Sequence, residues 1–205
     1  MLKKTKLSSL RAQRGNLRRS PRTLCVLAMT IILLSIPVFA ANREDASGIL
    51  YGKDNAYILQ APSGWILDNH SGVSEGLHAV FYPKGSTWKS SDCVMYTRAL
   101  AKDKTINEVI DADITEFKSK SATGQVSTQA NLMTGDKKTA LVRKFVNKEN
   151  KYYELGAYID ESKTVSMIIL SCMTNEEFKK STSAFKETVG SYNFLADKVN
   201  IMDKK

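Results

Sequence analysis

Asp68, His70, Glu75 and His78 fall in one segment, DNHSGVSEGLH, and form the chain's one cluster of metal-ligand residue types. Two imidazoles and two carboxylates could bind zinc, which takes four N, O or S ligands in a tetrahedron. Their spacing is not that of an i, i+4 histidine pair on a helix, and His70 lies in a loop of small polar residues. A cysteine nucleophile is the other option, and it needs a base within hydrogen-bond reach and a lowered pKa. Cys93 has Asp92 beside it, which opposes the thiolate, although His78 could lie on a neighbouring strand. A metal- or thiol-dependent hydrolase built from His70, His78 and Cys93 is therefore one reading.

The remaining chemistry is sparser. No Gly-x-Ser-x-Gly elbow and no Ser-x-x-Lys nucleophile set is expected, and the glycines fall singly in turns, with no phosphate-cradling loop. Asp111 and Asp113, two apart on an expected helix, point in different directions and read as a solvated face, not an acid/base dyad. No cofactor, metal or catalytic residue is expected. Trp65, Trp88 and Tyr96, with Tyr152 and Tyr158, could line an apolar pocket or a contact patch, since aromatics anchor interfaces. Aromatic pairing across a sheet is the commoner use. An apolar cavity between sheet and helix, lined by Trp65, Trp88 or Tyr96, would mark a small-molecule or lipid carrier, whereas a solid core would argue against one.

The charge distribution locates the protein. Residues 1–40 carry eight basic side chains and no acid, then an apolar run over 24–36, then Pro37-Val38-Phe39-Ala40-Ala41. That is a basic n-region, an h-region and a small-residue cleavage site, with cutting expected between Ala40 and Ala41. The alternative is an uncleaved anchor, the one route to a membrane. Beyond the leader the formal charge of +9 shrinks to 22 basic against 21 acidic residues. Such a balance lacks the electrostatic footprint of a nucleic-acid binder. Cys93 and Cys172 are the two cysteines left, and in an oxidising compartment they could pair.

These residues must be positioned by a chain whose period changes along its length. Residues 41–55 read as a polar tether. Short strands are expected at 57–60, from 65, at 77–82 and at 93–101, with Pro62-Ser63-Gly64 and Pro83-Lys84-Gly85 as turns. Thr105-Ile106-Asn107-Glu108 is a capping box, and Ile106, Val109, Ile110, Ile114 and Phe117 follow at helical spacing. Four further strands, near 125–133, 139–147, 151–160 and 163–172, form a meander. TVSMIILSC, which hardly alternates, is the inner one. Thr174-Asn175-Glu176-Glu177 opens a second helix, expected to end at Gly190 in a left-handed turn, and residues 192–195 pack back. The expectation is a single α+β domain over 56–195, one antiparallel β-sheet flanked by helices, with a polar tail over 196–205.

A strand closing in Pro62-Ser63-Gly64-Trp65, followed by strands, one amphipathic helix, an antiparallel meander and a terminal helix, resembles the PsbP-like superfamily. The resemblance implies an antiparallel sheet sandwiched between helices, in a group whose members mostly act as binding or assembly factors. No functional residue carries over, and Trp65 has a structural account as an apolar plug for one end of the sheet. The reading that results is an exported, non-catalytic binding or assembly domain of the periplasm or medium. It would act on a protein partner through a sheet face or edge, and not on nucleic acid.

Overall fold

The structure, a computed structural model, describes residues 47–52 and 54–198. The leader, its cleavage point and the end of the tail lie outside that range. The fold is organised around β10 (Thr164–Cys172), every residue of which is buried. It pairs antiparallel with β5 (Cys93–Ala101) on one side and β9 (Tyr152–Asp160) on the other. Beyond β5 lie β4 (Ala79–Pro83) and then β3 (Trp65–Asp68). Beyond β9 lie β8 (Thr139–Asn147) and β6 (Gln125–Thr128), with the two-residue β7 (Leu132–Met133) also on β8. The result is an eight-stranded antiparallel sheet.

Instead of the single sheet expected, there are two. Ser47–Tyr51, read from sequence as tether, is a strand, β1, paired in unbroken register with β2 (Ala56–Gln60). The C-terminal β11 (Asn193–Ala196) adds to the other side of β2, giving a small sheet of order β1-β2-β11. The misreading has a cause. Gly48 lies within the strand and Gly52 follows it, and its Ile49 and Tyr51 face outward, so it shows no polar-out alternation.

Two helices complete the layers. α1 (Ile106–Lys120) begins at Thr105, whose hydroxyl accepts from the Glu108 amide while the Glu108 carboxylate accepts from the Thr105 amide at 2.8 Å. α2 (Asn175–Gly190) begins at Thr174, which accepts from the Glu177 amide. It does not end in the left-handed turn expected of Gly190. The helix runs through that glycine, and Ser191, in right-handed geometry, caps it. α2 and the small sheet cover one face of the large sheet, where Tyr57, Leu59, Trp65, Phe81, Met95, Ile168, Leu170, Phe185 and Tyr192 form the core. α1 packs on the other face through Phe117, whose ring meets Phe145 and Tyr152. The Pro62-Ser63-Gly64-Trp65 stretch is a tight turn: the Trp65 amide donates to the Pro62 carbonyl at 3.0 Å, and Gly64 sits at φ 77°, where a side chain would be strained.

Candidate functional site

The residues able to do chemistry are divided among several places and form no single constellation among the described residues. On the core face, the Tyr57 hydroxyl donates to Thr97 Oγ1 at 3.0 Å and lies 2.9 Å from His78 Nδ1. Burial lowers the pKa of His78 and raises that of Tyr57, so both are held neutral. The Tyr57 ring stacks on Tyr192 at 5.1 Å between centroids, and the Tyr192 hydroxyl donates to Glu161 at 3.0 Å and to Ser166 at 3.0 Å. Burial pushes the Glu161 carboxyl up, against the opposing hydrogen bonds from Lys138 and Tyr192. This chain of polar contacts joins both termini of the domain to the large sheet. It is enclosed, with Tyr57, Thr97, Glu161, Ser166 and Tyr192 all buried.

A second group lies under α1. Asp113, expected on a solvated face, is buried. Tyr158 Oη donates to its Oδ2 at 2.5 Å, and Arg98 approaches its other oxygen at 3.8 Å. The helix offset of two residues works as reasoned: Asp111 is exposed while Asp113 turns inward. Periodicity alone could have placed Asp113, since it follows Val109 and Ile110 at i+4 and i+3 and precedes Phe117 by four.

The proposed metal cluster is dispersed. Asp68 uses its carboxylate on the His70 and Ser71 amides, the Ser71 hydroxyl and Tyr82. Burial works to raise its pKa, but these hydrogen bonds prevail and lower it. His78 is taken by Tyr57, and no group of three or more His, Cys, Asp or Glu able to hold a metal exists among the described residues. Cys93 stands directly opposite Cys172 on β5 and β10, and the two are joined as a disulfide. Contrary to the expectation of no nucleophile elbow and no Ser-x-x-Lys set, three such serine spellings occur, one of them Ser183-Ala184-Phe185-Lys186, on α2 with Ser183 and Lys186 both exposed. Gly72-Val73-Ser74-Glu75-Gly76 matches the pattern of a nucleophile elbow but forms a 3-10 turn leading into β4, with no hydrogen bond from Ser74 to a histidine. Ser86-Thr87-Trp88-Lys89 lies in the β4–β5 loop, and its Ser86 hydroxyl donates to the Pro83 carbonyl at 2.6 Å. The first lacks the strand-to-helix context of a nucleophile elbow, and Ser86 is committed to a backbone carbonyl.

The three aromatic candidates do not share a site. Trp65 belongs to the core beneath the small sheet, whereas the β3–β4–β5 register puts Tyr96 on the opposite face, in edge contact with Trp88 at 6.2 Å. They cannot line one pocket. What the molecule presents outward is different: the outer face of the small sheet, where Ile49, Tyr51 and Leu195 are exposed beside Ile58, and the free edge of β6.

In fold the chain is an α+β domain, an antiparallel sheet with helices on both of its faces, and it resembles solved structures of that kind. One of them is cyanobacterial PsbP (CyanoP) from Synechocystis sp. PCC 6803, determined in solution: 15% of residues are identical, the match covers 78% of this chain and 99% of that chain, and the TM-score is 0.48. No protein-family model and no curated protein matches the chain.

Proposed function

We propose that this chain is an exported, non-catalytic binding domain of the cell envelope that works by contact with another protein. The observation that carries the reading is the outer face of the small sheet. Ile49 is 61% exposed, Tyr51 50% and Leu195 47%, three of the five large hydrophobics so exposed among the described residues. Aliphatic and aromatic side chains gathered on one exposed face are the usual mark of a contact surface. The leader supports export, and the near-neutral charge beyond it argues against nucleic acid. The engagement of His78, Asp68 and both cysteines in structural contacts argues against the hydrolase reading. The separation of Trp65 from Tyr96 by the sheet argues against a carrier lined by them.

Photo-crosslinking in the exporting cell tests this. A photoreactive residue at position 49 or 51 is expected to give an adduct with one protein, and the same residue at the exposed position 111 is not. Substrate turnover abolished by substituting His70 or His78, with no adduct from the small sheet, would sink the proposal.

A further inference from the structure

We propose that the outer edge of β6 accepts an extended acidic segment of a partner protein, which adds to the large sheet as a further strand between Lys118 and Lys144. The backbone supplies the first argument. The Gln129 amide donates to the Val142 carbonyl at 3.0 Å, in line with the β6–β8 register. Antiparallel pairs alternate, so Gln125 and Ser127 turn their N–H and C=O groups toward β8, while those of Val126 and Thr128 point away from it. The Thr128 carbonyl is taken by the Gln129 side chain at 3.0 Å. That leaves the Val126 N–H, the Val126 carbonyl and the Thr128 N–H facing outward, at the two-residue repeat with which an incoming strand pairs.

Space and charge supply the second. A cleft of about 470 Å³ runs along this edge, bounded by Lys118, Gly124, Val126 and Lys144 among others. Lys118 comes from the last turn of α1, on one face of the sheet. Lys144, paired in register with Leu155, projects from the other, its Nζ 5.1 Å from the Phe178 ring centroid. The acids nearby are engaged: Glu116 with Lys120 at 2.7 Å, and Glu149 with Thr123 at 2.9 Å. Both lysines border the cleft that a strand added one spacing beyond β6, about 4.8 Å, would enter. The other outer strands lack this pairing of free backbone with positive charge. β11 is bulged and its Phe194 amide is bonded to Asp136, β3 ends in Asp68, and β1 carries no basic residue.

This inference rests on the binding reading, and its test is separable from the test of that reading. The probe is a short labelled synthetic peptide repeating Val-Glu-Glu, which as a strand carries carboxylates on both faces, titrated by fluorescence anisotropy into the protein purified after export. Saturable binding is expected, weakening with salt, with none for the valine–lysine counterpart. Val126→Pro removes an N–H that faces away from β8, a position where an edge strand tolerates proline, and is expected to weaken binding about tenfold or more. Thr128→Pro and Lys118→Glu serve the same purpose should Val126→Pro fail to fold by circular dichroism. No saturable binding of the glutamate peptide, equal binding of the lysine peptide, or full affinity in a folded proline variant would overturn the inference. Adducts at position 49 with no peptide binding would leave the small-sheet reading standing and remove this one alone.

Discussion

His78 is neutral inside the fold because burial disfavours its charged form, and the sign of the resulting linkage can be worked out. Its folded pKa lies below the ordinary 6.5, so between the two values the unfolded chain binds more protons. The stability tied to neutral His78 is therefore whole above about pH 6.5 and is lost as pH falls from there through the folded pKa, at no more than about 1.4 kcal/mol per pH unit. The melting temperature of the wild type is expected to fall over that range, and the fall relative to His78→Gln measures the contribution. Glu161 has the opposite sign: its raised pKa favours folding as pH drops toward the ordinary carboxyl range, so it cannot mimic the histidine effect. Asp113 gives a sharper contrast. Asp113→Ala strips the Tyr158 hydroxyl and Arg98 of their shared acceptor under α1, a loss of about 3–5 kcal/mol in denaturant unfolding. Asp111→Ala, on the exposed side of the same helix, is expected to stay within about 0.5 kcal/mol.

The elements divide by how local their causes are. α1 was legible because Thr105, Glu108 and the apolar stripe are all contained in one short stretch, and Thr105→Ala is expected to cost about 1 kcal/mol in chemical denaturation. β10 was legible for a similar reason: its nine residues, lying in a meander of short turns, hardly alternate, as a strand covered on both faces does. β1 was not, since what makes it a strand is its pairing with β2 and the fit of its inner face over Leu67, neither of which is written in its own residues. The turn after it depends on distant groups too. A Cβ at Gly52 would stand 2.7 Å from Asn55 Oδ1 and 2.8 Å from His78 Nε2. Gly52→Ala is accordingly expected to destabilise the domain by about 1–3 kcal/mol, seen as a lowered midpoint with an unchanged slope. The candidate surfaces were the least legible of all. Sequence offered Trp65, Trp88 and Tyr96 as a set because their types suit interfaces, yet only the register reveals that the sheet stands between Trp65 and Tyr96.

For the whole molecule, the Cys93–Cys172 link ties β5 to β10 across a sequence separation of 79. Closing so long a loop restrains the unfolded chain, and a Cys93→Ala/Cys172→Ala double variant is expected to lose about 2–5 kcal/mol. Intact mass before and after reduction and alkylation reads the link directly: two added alkyl groups only after reductant, or a prompt reaction without it if the thiols are free. The small sheet is assembled from the two ends of the domain. β1 and β2 are made first, β11 last, and Tyr57 has no Tyr192 to stack on until nearly the whole domain exists. That order has a bearing on biogenesis. A polypeptide threaded through a ribosome or a translocation pore emerges one residue at a time, and here the opening strands must wait for the closing one. Premature compaction is disfavoured by construction, because long-range pairing of this kind comes late. A chain cut short before Tyr192 would hold an unfinished sheet with Tyr57 lacking its stacking partner, a form that quality-control proteases can recognise.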